Sequence, residues 1–485
     1  MSYMQDEQKK TTDSYKNIAA FIQGKIEAGE WSAGRKLPTQ RALAEEFNVN
    51  RSTVIHALDI LKDKGYIESK SGSGTFVSKH SSSDISRNMM NWNDYSKYSV
   101  YPTNHQTVRK INNLELDQSL IQLGKGELHT SLFPRDSFNK SLRTLENTFD
   151  NYGYNDGTGD DRFRQAISNY LKKRGISSSP QTILPVSGAL QALQLITLGL
   201  LQRGSTVYAP HVSYIHSLHM FRTSGMRIKS VPFTSKALDA DYLREHLSGN
   251  HHSSVLYINP TFHNPTTQTI SSNNRKDLVE ISNQYKMPII EDDIFRDLWL
   301  DQEPHAPISS LDNSGHTLLI GSFSKTMAPT LRIGWISGPV DVIDKLSDLR
   351  MQLDYGTSYL PQLALYDFLE SGRYEQHLLE LREELRYRRD MLVHLLEENM
   401  DDYATWEVPN GGMFIWVLFS EEVNIRRLFT SLVGQGVLIN PGFIYSSYPN
   451  QYVRLSFASS SVEEMRRGIL IMRKVIEQHQ MTVLE

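Results

Sequence analysis

The stretch GSFSKTMAPTLRIGW, Gly321 to Trp335, sets one lysine, Lys325, among hydroxyls, small residues and apolar positions, with Arg332 close behind it. Burial penalises the charged form of a lysine, so the reason for its presence has to be sought in the segments around it. The run leading into it, TLLIGSF, is short, apolar and β-rich, and TILPVS, TVYAP, SVLYINP and MPIIEDD are of the same kind. Most are separated by helical patterns such as Gly188 to Leu200 and Asn273 to Lys286. This alternation predicts an α/β fold, a mostly parallel sheet with helices on both faces. Ligands of such sheets gather beyond the carboxyl ends of the strands, where Lys325 stands. The charged run HLLELREELRYRRDMLVHLLEE, from His377, is expected to be a long solvated helix rather than an interaction tail.

With 485 residues the chain exceeds one core and suits a small domain plus a large one. A net charge of -4 gives no overall pull toward nucleic acid or membrane, so any DNA contact must come from a local patch. The absence of cysteine excludes disulfides, thiolate metal sites and cysteine nucleophiles, and no metal site is expected. The opening MSYMQDEQKK lacks an apolar signal core, and the most apolar run, ALQALQLITLGLL, is interrupted by glutamines and too short to span a bilayer. A cytoplasmic protein with no membrane partner is expected.

Residues 14–78 read as a first helix with Ile18, Phe21, Ile22 and Ile26 on one face, a short helix from Thr39 to about Phe47, a helix from Asn50 or Arg51, and a hairpin around Ser71 to Gly74. That order is a winged helix-turn-helix. Residues 79–113 are polar without sustained periodicity and are expected to be a linker. Residues 114–485 form the α/β domain, with a small C-terminal α+β subdomain from about residue 370.

The first turn of a recognition helix faces base edges and phosphates. Here it carries Arg51, suited to a bidentate contact with guanine, and Ser52 and Thr53, suited to phosphates, while Arg35, Lys36 and Arg41 add charge on the approach and Lys70 stands beside the hairpin tip. Each feature alone is common in small helical domains. In order, KLPTQRALAEEFNVNRSTVIHALDILKDKGYIESKSGSGTFV closely resembles the winged-helix reader of GntR-type bacterial transcription regulators. The resemblance implies that Arg41, Arg51, Ser52 and Thr53 meet the major groove or its phosphates, and Ser71 and Gly72 the minor groove.

A buried lysine of lowered pKa is a nucleophile toward carbonyls, most often in α/β proteins as an imine with pyridoxal phosphate. That cofactor needs a phosphate cup, a carboxylate for its ring nitrogen and a flat face to stack on. Ser187, Gly188 and Ala189 lie at a strand-to-helix turn suited to a phosphate, with Ser322 and Arg332 to complete the cup. Asp292 ends an apolar strand and suits the ring nitrogen, Tyr214 suits the ring face, and Asn264 the phenolic oxygen. Taken singly, Asp292 reads equally as a cap, Arg332 as a surface ion pair and Gly188 as a turn.

From about Ile121 onward the chain resembles fold type I aminotransferases through LGKGELHTSLFP, YGYNDGTGDDRFRQAI, NPTFHNPTTQT, IIEDD, GSFSKTMAPTLRIGW, PNGGMFIW and YVRLSFA. The resemblance implies that Arg454 grips a ligand carboxylate, that Tyr154 reaches the phosphate in a partner subunit, and hence a homodimer. Two positions depart from the family pattern. Ala189 stands where a hydroxyl is usual, and Phe295 where a tyrosine donates to the cofactor's oxygen, which favours cofactor binding over fast transamination.

A GntR-type reader, a linker and an aminotransferase-like domain together resemble the MocR-type regulators, the group that includes the GABA-responsive regulator and regulators of vitamin B6 synthesis. The resemblance implies a head-to-tail homodimer on operator DNA that senses a small amino compound, which displaces Lys325 to form an external aldimine while Arg454 holds its carboxylate. His216 stands where the GABA-responsive regulator has a second arginine, so GABA is a less favoured effector; a surface histidine without a ligand role fits equally. Two other readings remain at this stage: a working aminotransferase with an appended DNA-binding domain, and a sensor of pyridoxal phosphate itself.

Overall fold

The computed structural model describes residues 3–70, 73–78, 106–149, 153–154, 156–234, 237–247, 253–446, 448 and 450–484. The chain divides into two units, Met1–Pro102 and Thr103–Glu485.

In the first unit α1 (Tyr3–Glu27), α2 (Gln40–Glu46) and α3 (Arg51–Asp63) are followed by the antiparallel hairpin β1 (Ile67–Lys70) and β2 (Gly74–Val77). Thr39 caps α2 by accepting from the Ala42 amide, and Asn50 begins α3 in extended conformation, which sets the turn between the two helices. Ile18, Ile22 and Ile26 meet Leu43, Val54, Leu58 and Leu61 in one core. Phe21, expected on the buried face, is instead 38% exposed and lies at the edge, packed against Trp31 and Phe47.

The second unit opens with α4 (Gln106–Leu114), within the stretch whose sequence suggested a linker without periodicity. Its Ile111 is buried in a core shared with Leu123, Leu385 and Leu455. The short strand β3 (Ile121–Gln122) follows. A seven-stranded sheet then forms from β4 (Ile183–Val186), β5 (Thr206–Pro210), β6 (Arg227–Val231), β7 (Ser254–Ile258), β8 (Ile289–Asp292), β9 (Thr317–Ser322) and β10 (Gly334–Ser337). Its order is β4-β10-β9-β8-β7-β5-β6, and β10 alone runs antiparallel, against both β9 and β4. Strands β4, β8, β9 and β10 are buried throughout, as expected of a sheet covered on both faces. Neither β10, whose first two residues close the lysine motif, nor the half-buried edge strand β6 is among the strands expected from sequence.

Backbones come unusually close at one corner. Helix α5 (Ala189–Gly199) starts after Gly188, whose φ of 86° is in the left-handed region. A Cβ on Gly334 would lie 2.7 Å from the Gly321 carbonyl oxygen and 3.2 Å from Gly188, so β10 packs directly beneath this turn.

The smaller subdomain has the antiparallel order β11-β12-β15-β14, from β11 (Ala404–Trp406), β12 (Phe414–Phe419), β14 (Asn440–Pro441) and β15 (Tyr452–Ser456). Its strand β13 (Val437–Leu438) pairs in parallel with β3, so the N-terminal part of the unit joins a subdomain otherwise built from its C-terminal end. Helices α6 (Arg373–Met400) and α7 (Val462–Leu484) pack together against it. The charged run within α6 is helical but not solvated all round: Leu381, Leu385, Leu392 and Leu396 are core, and buried Arg388 donates to the Ser460 carbonyl. Among the described residues no helix is long and apolar enough to cross a membrane.

Candidate functional site

The carboxyl ends of β4, β8 and β9 open onto a cavity of about 490 Å³ within the second unit. Strand β9 ends at Ser322, and a tight turn, Phe323–Lys325, carries Lys325 into the cavity wall. Its Nζ donates to the Gly126 carbonyl at 2.7 Å and lies 6.0 Å from the centre of the Phe295 ring. Burial lowers the Lys325 ammonium to about 8, and the positive charge of Arg454 pushes it the same way. About a tenth is therefore unprotonated at pH 7, far more than for an ordinary lysine, and that is the form a nucleophile requires.

Asp292, the last residue of β8, is 4% exposed. One oxygen, Oδ2, accepts from the Tyr257 hydroxyl at 2.7 Å, while Oδ1 is buried and has no partner. Burial raises this carboxyl to about 6 even though the Tyr257 hydrogen bond opposes the shift. A buried carboxylate oxygen without a donor calls for a cationic N–H in the cavity. Asn259 fixes the neighbourhood: its Nδ2 donates to the Asp292 carbonyl and its Oδ1 accepts from the Asn264 amide at 2.8 Å. Tyr214 is tied to the same loop by its amide, which donates to the Asn264 carbonyl at 3.1 Å, and burial pushes its phenol up to about 12.

At the start of α5 an anion cup is laid out. Arg332 adopts the left-handed region, φ 51°, which turns its guanidinium back so that Nη2 donates to the Ser187 carbonyl at 2.7 Å. Gly188 lies under that guanidinium; a Cβ there would come within 3.0 Å of Nη2. Ser322 Oγ donates to the Ile333 carbonyl and accepts from the Ser324 amide, whereas Ser324 Oγ is buried without a partner and lines the cavity. Free amides at the helix start, a guanidinium and an unused hydroxyl suit a phosphate.

Arg454, on β15, is 4% exposed. Nη1 donates to Asn264 Oδ1 and Nη2 to the Gly124 carbonyl, both at 2.7 Å, and Nε is buried without a partner. The guanidinium stacks 3.9 Å from the centre of the Phe414 ring. It is thus held by neutral acceptors and has no ion-pair partner among the described residues, a setting suited to a ligand carboxylate.

Of the residues singled out from sequence, Lys325, Asp292, Tyr214, Asn264, Ala189, Ser322, Arg332 and Arg454 all line this cavity, and Ser187 and Gly188 adjoin it through Arg332. His216 does not line it: Nε2 lies 3.1 Å from the Pro210 carbonyl, while Ser217 and His219 reach the wall. Tyr154 is 85% exposed, stacked on Tyr355, and away from its own chain's cavity. Sequence reasoning missed Tyr257, Asn259, Ser324 and the contribution of α4. The last had a signal, since Val108, Ile111, Asn112 and Glu115 follow helical spacing and all line the cavity.

In the first unit Arg51 projects from the first turn of α3, its Nε and Nη2 donating to Gln40 Oε1 at 3.1 and 3.0 Å. Ser52 is exposed and Thr53 half-buried. Arg41 pairs with Glu45 at 3.1 Å with both side chains largely in solvent, a contact too weak to withhold it from DNA. Arg35 donates to the Glu30 carbonyl at 2.8 Å and lies over Trp31. Ser71 and Gly72 lie outside the described residues.

Residues 14–77 match the family described as bacterial regulatory proteins, gntR family, and residues 118–470 match aminotransferase class I and II. The HTH-type transcriptional regulator YdfD of Bacillus subtilis, itself described as uncharacterized, is 42% identical over 471 residues, 97% of each chain. The HTH-type transcriptional regulator NorG of Staphylococcus aureus is 36% identical over 90% of this chain and 98% of its own. Among solved structures, a multiple substrate aminotransferase from Thermococcus profundus superposes with a TM-score of 0.74 at 27% identity, over 81% of this chain and all of its own. A kynurenine aminotransferase from Pyrococcus horikoshii, solved in complex with PMP, gives 0.73 at 27% identity, over 81% of this chain and 98% of its own. The relatives that match nearly end to end are named as regulators, whereas the enzymes match 81% of this chain, which favours the regulator over an aminotransferase with an appended reader. The chain belongs to the gntR-family HTH-type transcriptional regulators that carry an aminotransferase class I and II domain, the MocR-type regulators.

Proposed function

We propose that this regulator binds pyridoxal 5'-phosphate at Lys325 and senses an amino compound in the same cavity, which changes its hold on operator DNA. The observation that carries the reading is the unpartnered Oδ1 of Asp292 in the same cavity as a lysine lowered to about 8. When bound, the cofactor supplies an electrophilic carbon with which primary amines condense reversibly. Arg332, Ser324 and the amides at the start of α5 would hold its phosphate, while Ser322, expected from sequence to join them, spends its proton on the Ile333 carbonyl and orders the turn instead; Ala189 offers an amide there but no hydroxyl. Asp292 keeps its ring nitrogen protonated, Tyr214 covers its ring, and Asn264 turns its amide toward the phenolic oxygen, because Oδ1 is committed to Arg454. Lys325 would hold the cofactor's electrophilic carbon, and Arg454 would fix the carboxylate of an incoming amine.

Operator recognition falls to Arg51, Ser52 and Thr53 at the start of α3, with Arg35, Arg41 and the wing residues Ser71 and Gly72 in support. Exposed Tyr154 is free to complete a second subunit's phosphate site in a homodimer. We place the protein in the cytoplasm, where operator DNA is found. An effector alters DNA binding only through its differential affinity for two states of the protein.

The test is a visible absorption spectrum of the full-length protein with pyridoxal phosphate, followed by amino acids and amines added singly, with operator affinity measured alongside. The expected result is a cofactor band that one compound shifts, with a parallel change in operator affinity. A protein that takes up no cofactor, or an operator affinity indifferent to both cofactor and amine, would sink the proposal. A response to cofactor alone would make the cofactor itself the signal.

A further inference from the structure

The cavity contains one carboxylate that neither the proposed cofactor nor a neighbouring ion pair uses. Its lining charges are Lys325, Arg332 and Arg454 against Asp292, Glu127 and Glu115. On the reading above, on which this inference rests, Arg332 serves the phosphate, Asp292 the ring nitrogen, and Lys325 the exchange of amines. Glu127 is already paired with Lys125 at 2.9 Å. What is left is Arg454, with its buried unpartnered Nε, and Glu115, whose carboxylate has no ion pair or side-chain hydrogen bond among the described residues.

Glu115 is held in place by regular structure. Its amide donates to the Ile111 carbonyl at 2.8 Å, so it extends α4 by one residue, on the face where Val108, Ile111 and Asn112 also look into the cavity. The buried side chain of Ile111 fixes that face. The field of Glu115 is felt by Lys325, Tyr214 and Tyr445, and Arg454 in turn acts on Glu115, which sets it on the ligand side of the site. An effector with one amine and one carboxylate would spend its amine at the cofactor and bring a second negative charge beside Glu115. An effector with an additional cation would satisfy both residual charges together.

We propose that the effector is an amino acid bearing a second cationic nitrogen, its carboxylate held by Arg454 and its distal ammonium or guanidinium by Glu115. The test uses the full-length protein loaded with pyridoxal phosphate, titrated with L-lysine, L-ornithine, L-arginine, L-norleucine and L-glutamate, with the cofactor absorbance and operator affinity read together. At least one basic amino acid should act at about tenfold or more lower concentration than norleucine, which has a similar chain without the charge. Glu115→Gln should erase that preference and leave the norleucine response nearly unchanged. Norleucine or glutamate equalling the best basic amino acid, a preference that survives in a folded Glu115→Gln protein, or a loaded protein that answers none of the basic amino acids would each overturn the inference. The wild-type series decides the matter even if the variant fails to fold. A protein that never loads cofactor would instead overturn the reading of Lys325, and this inference with it.

Discussion

The Tyr257 hydroxyl donates to Asp292 Oδ2 at 2.7 Å and leaves Asp292 Oδ1 bare in the wall of the cavity. A buried carboxylate with one oxygen unpartnered is a destabilising arrangement in a protein without ligand, and it gives Asp292 opposite effects on stability and on binding.

Asp292→Asn should stabilise the cofactor-free protein while weakening cofactor binding. The carboxyl titrates near 6 when folded against 3.8 as its ordinary value. The folded state therefore retains a proton that the unfolded state has lost between those values, and stability falls as pH rises through that window. The gain from the asparagine should be roughly 1–3 kcal/mol above pH 7 and absent near pH 4. Denaturant melts at the two pH values, with cofactor titrations beside them, check both halves.

Tyr257→Phe should move Asp292 further up, since the lost hydrogen bond is the largest of the influences that hold the carboxyl down, ahead of the Lys325 charge and the Ile294 amide. Cofactor affinity should then rise with pH through a midpoint above 6, later than in the wild type. A pH series of cofactor binding reads this, and an unchanged midpoint would count against the role given to Tyr257.

Lys325→Ala should fold, lose the visible band of a lysine-linked cofactor, and bind operator without answering amines. It should also change the pH dependence of the cofactor-free protein. The folded lysine titrates near 8 against 10.5 ordinarily, so its burden on stability is full below 8 and is relieved as pH rises toward 10.5. Thermal melts of the variant should lack that alkaline gain.

Phe295→Tyr restores a phenol beside Lys325, whose Nζ is 6.0 Å from the ring centre. A donor to the cofactor's oxygen favours the deprotonated Lys325 linkage, so the midpoint of its absorbance titration should fall by about one pH unit or more. Phe295 is 1% exposed, so a circular dichroism melt must accompany the titration.

Arg51→Ala should cost about 1–3 kcal/mol of operator binding and relax the preference at one base pair, with little effect on the cofactor spectrum. Arg41→Ala should weaken all DNA alike and reduce the salt dependence by about one counterion. Anisotropy titrations on operator and scrambled DNA at two salt concentrations separate the two roles.

Much of the site was legible because its polar residues sit in contiguous runs at strand ends, where a buried apolar stretch gives way to Asp292 or to Ser322 and Lys325. Tyr257 was not, since an aromatic inside SVLYI reads as sheet core, and only the neighbouring strand β8 shows that its hydroxyl meets a carboxylate. Glu115 was hidden differently: α4 is short and, among its described side chains, buries only Ile111 fully, so its periodicity is faint against the polar stretch before it. Antiparallel β10 escaped because its glycine serves close packing against Gly188, a contact between segments far apart in sequence.

The pairing of β3 with β13 also has a mechanical side. The first residues of the large unit are anchored to the smaller subdomain twice, through Ile111 in its core and through the β3–β13 ladder, before the chain reaches the seven-stranded sheet. Tension applied at residue 106 is therefore borne first by the smaller subdomain. Any displacement of that subdomain on ligand binding carries α4 and β3 with it, so the ligand cavity and the first residues of the large unit move as one piece.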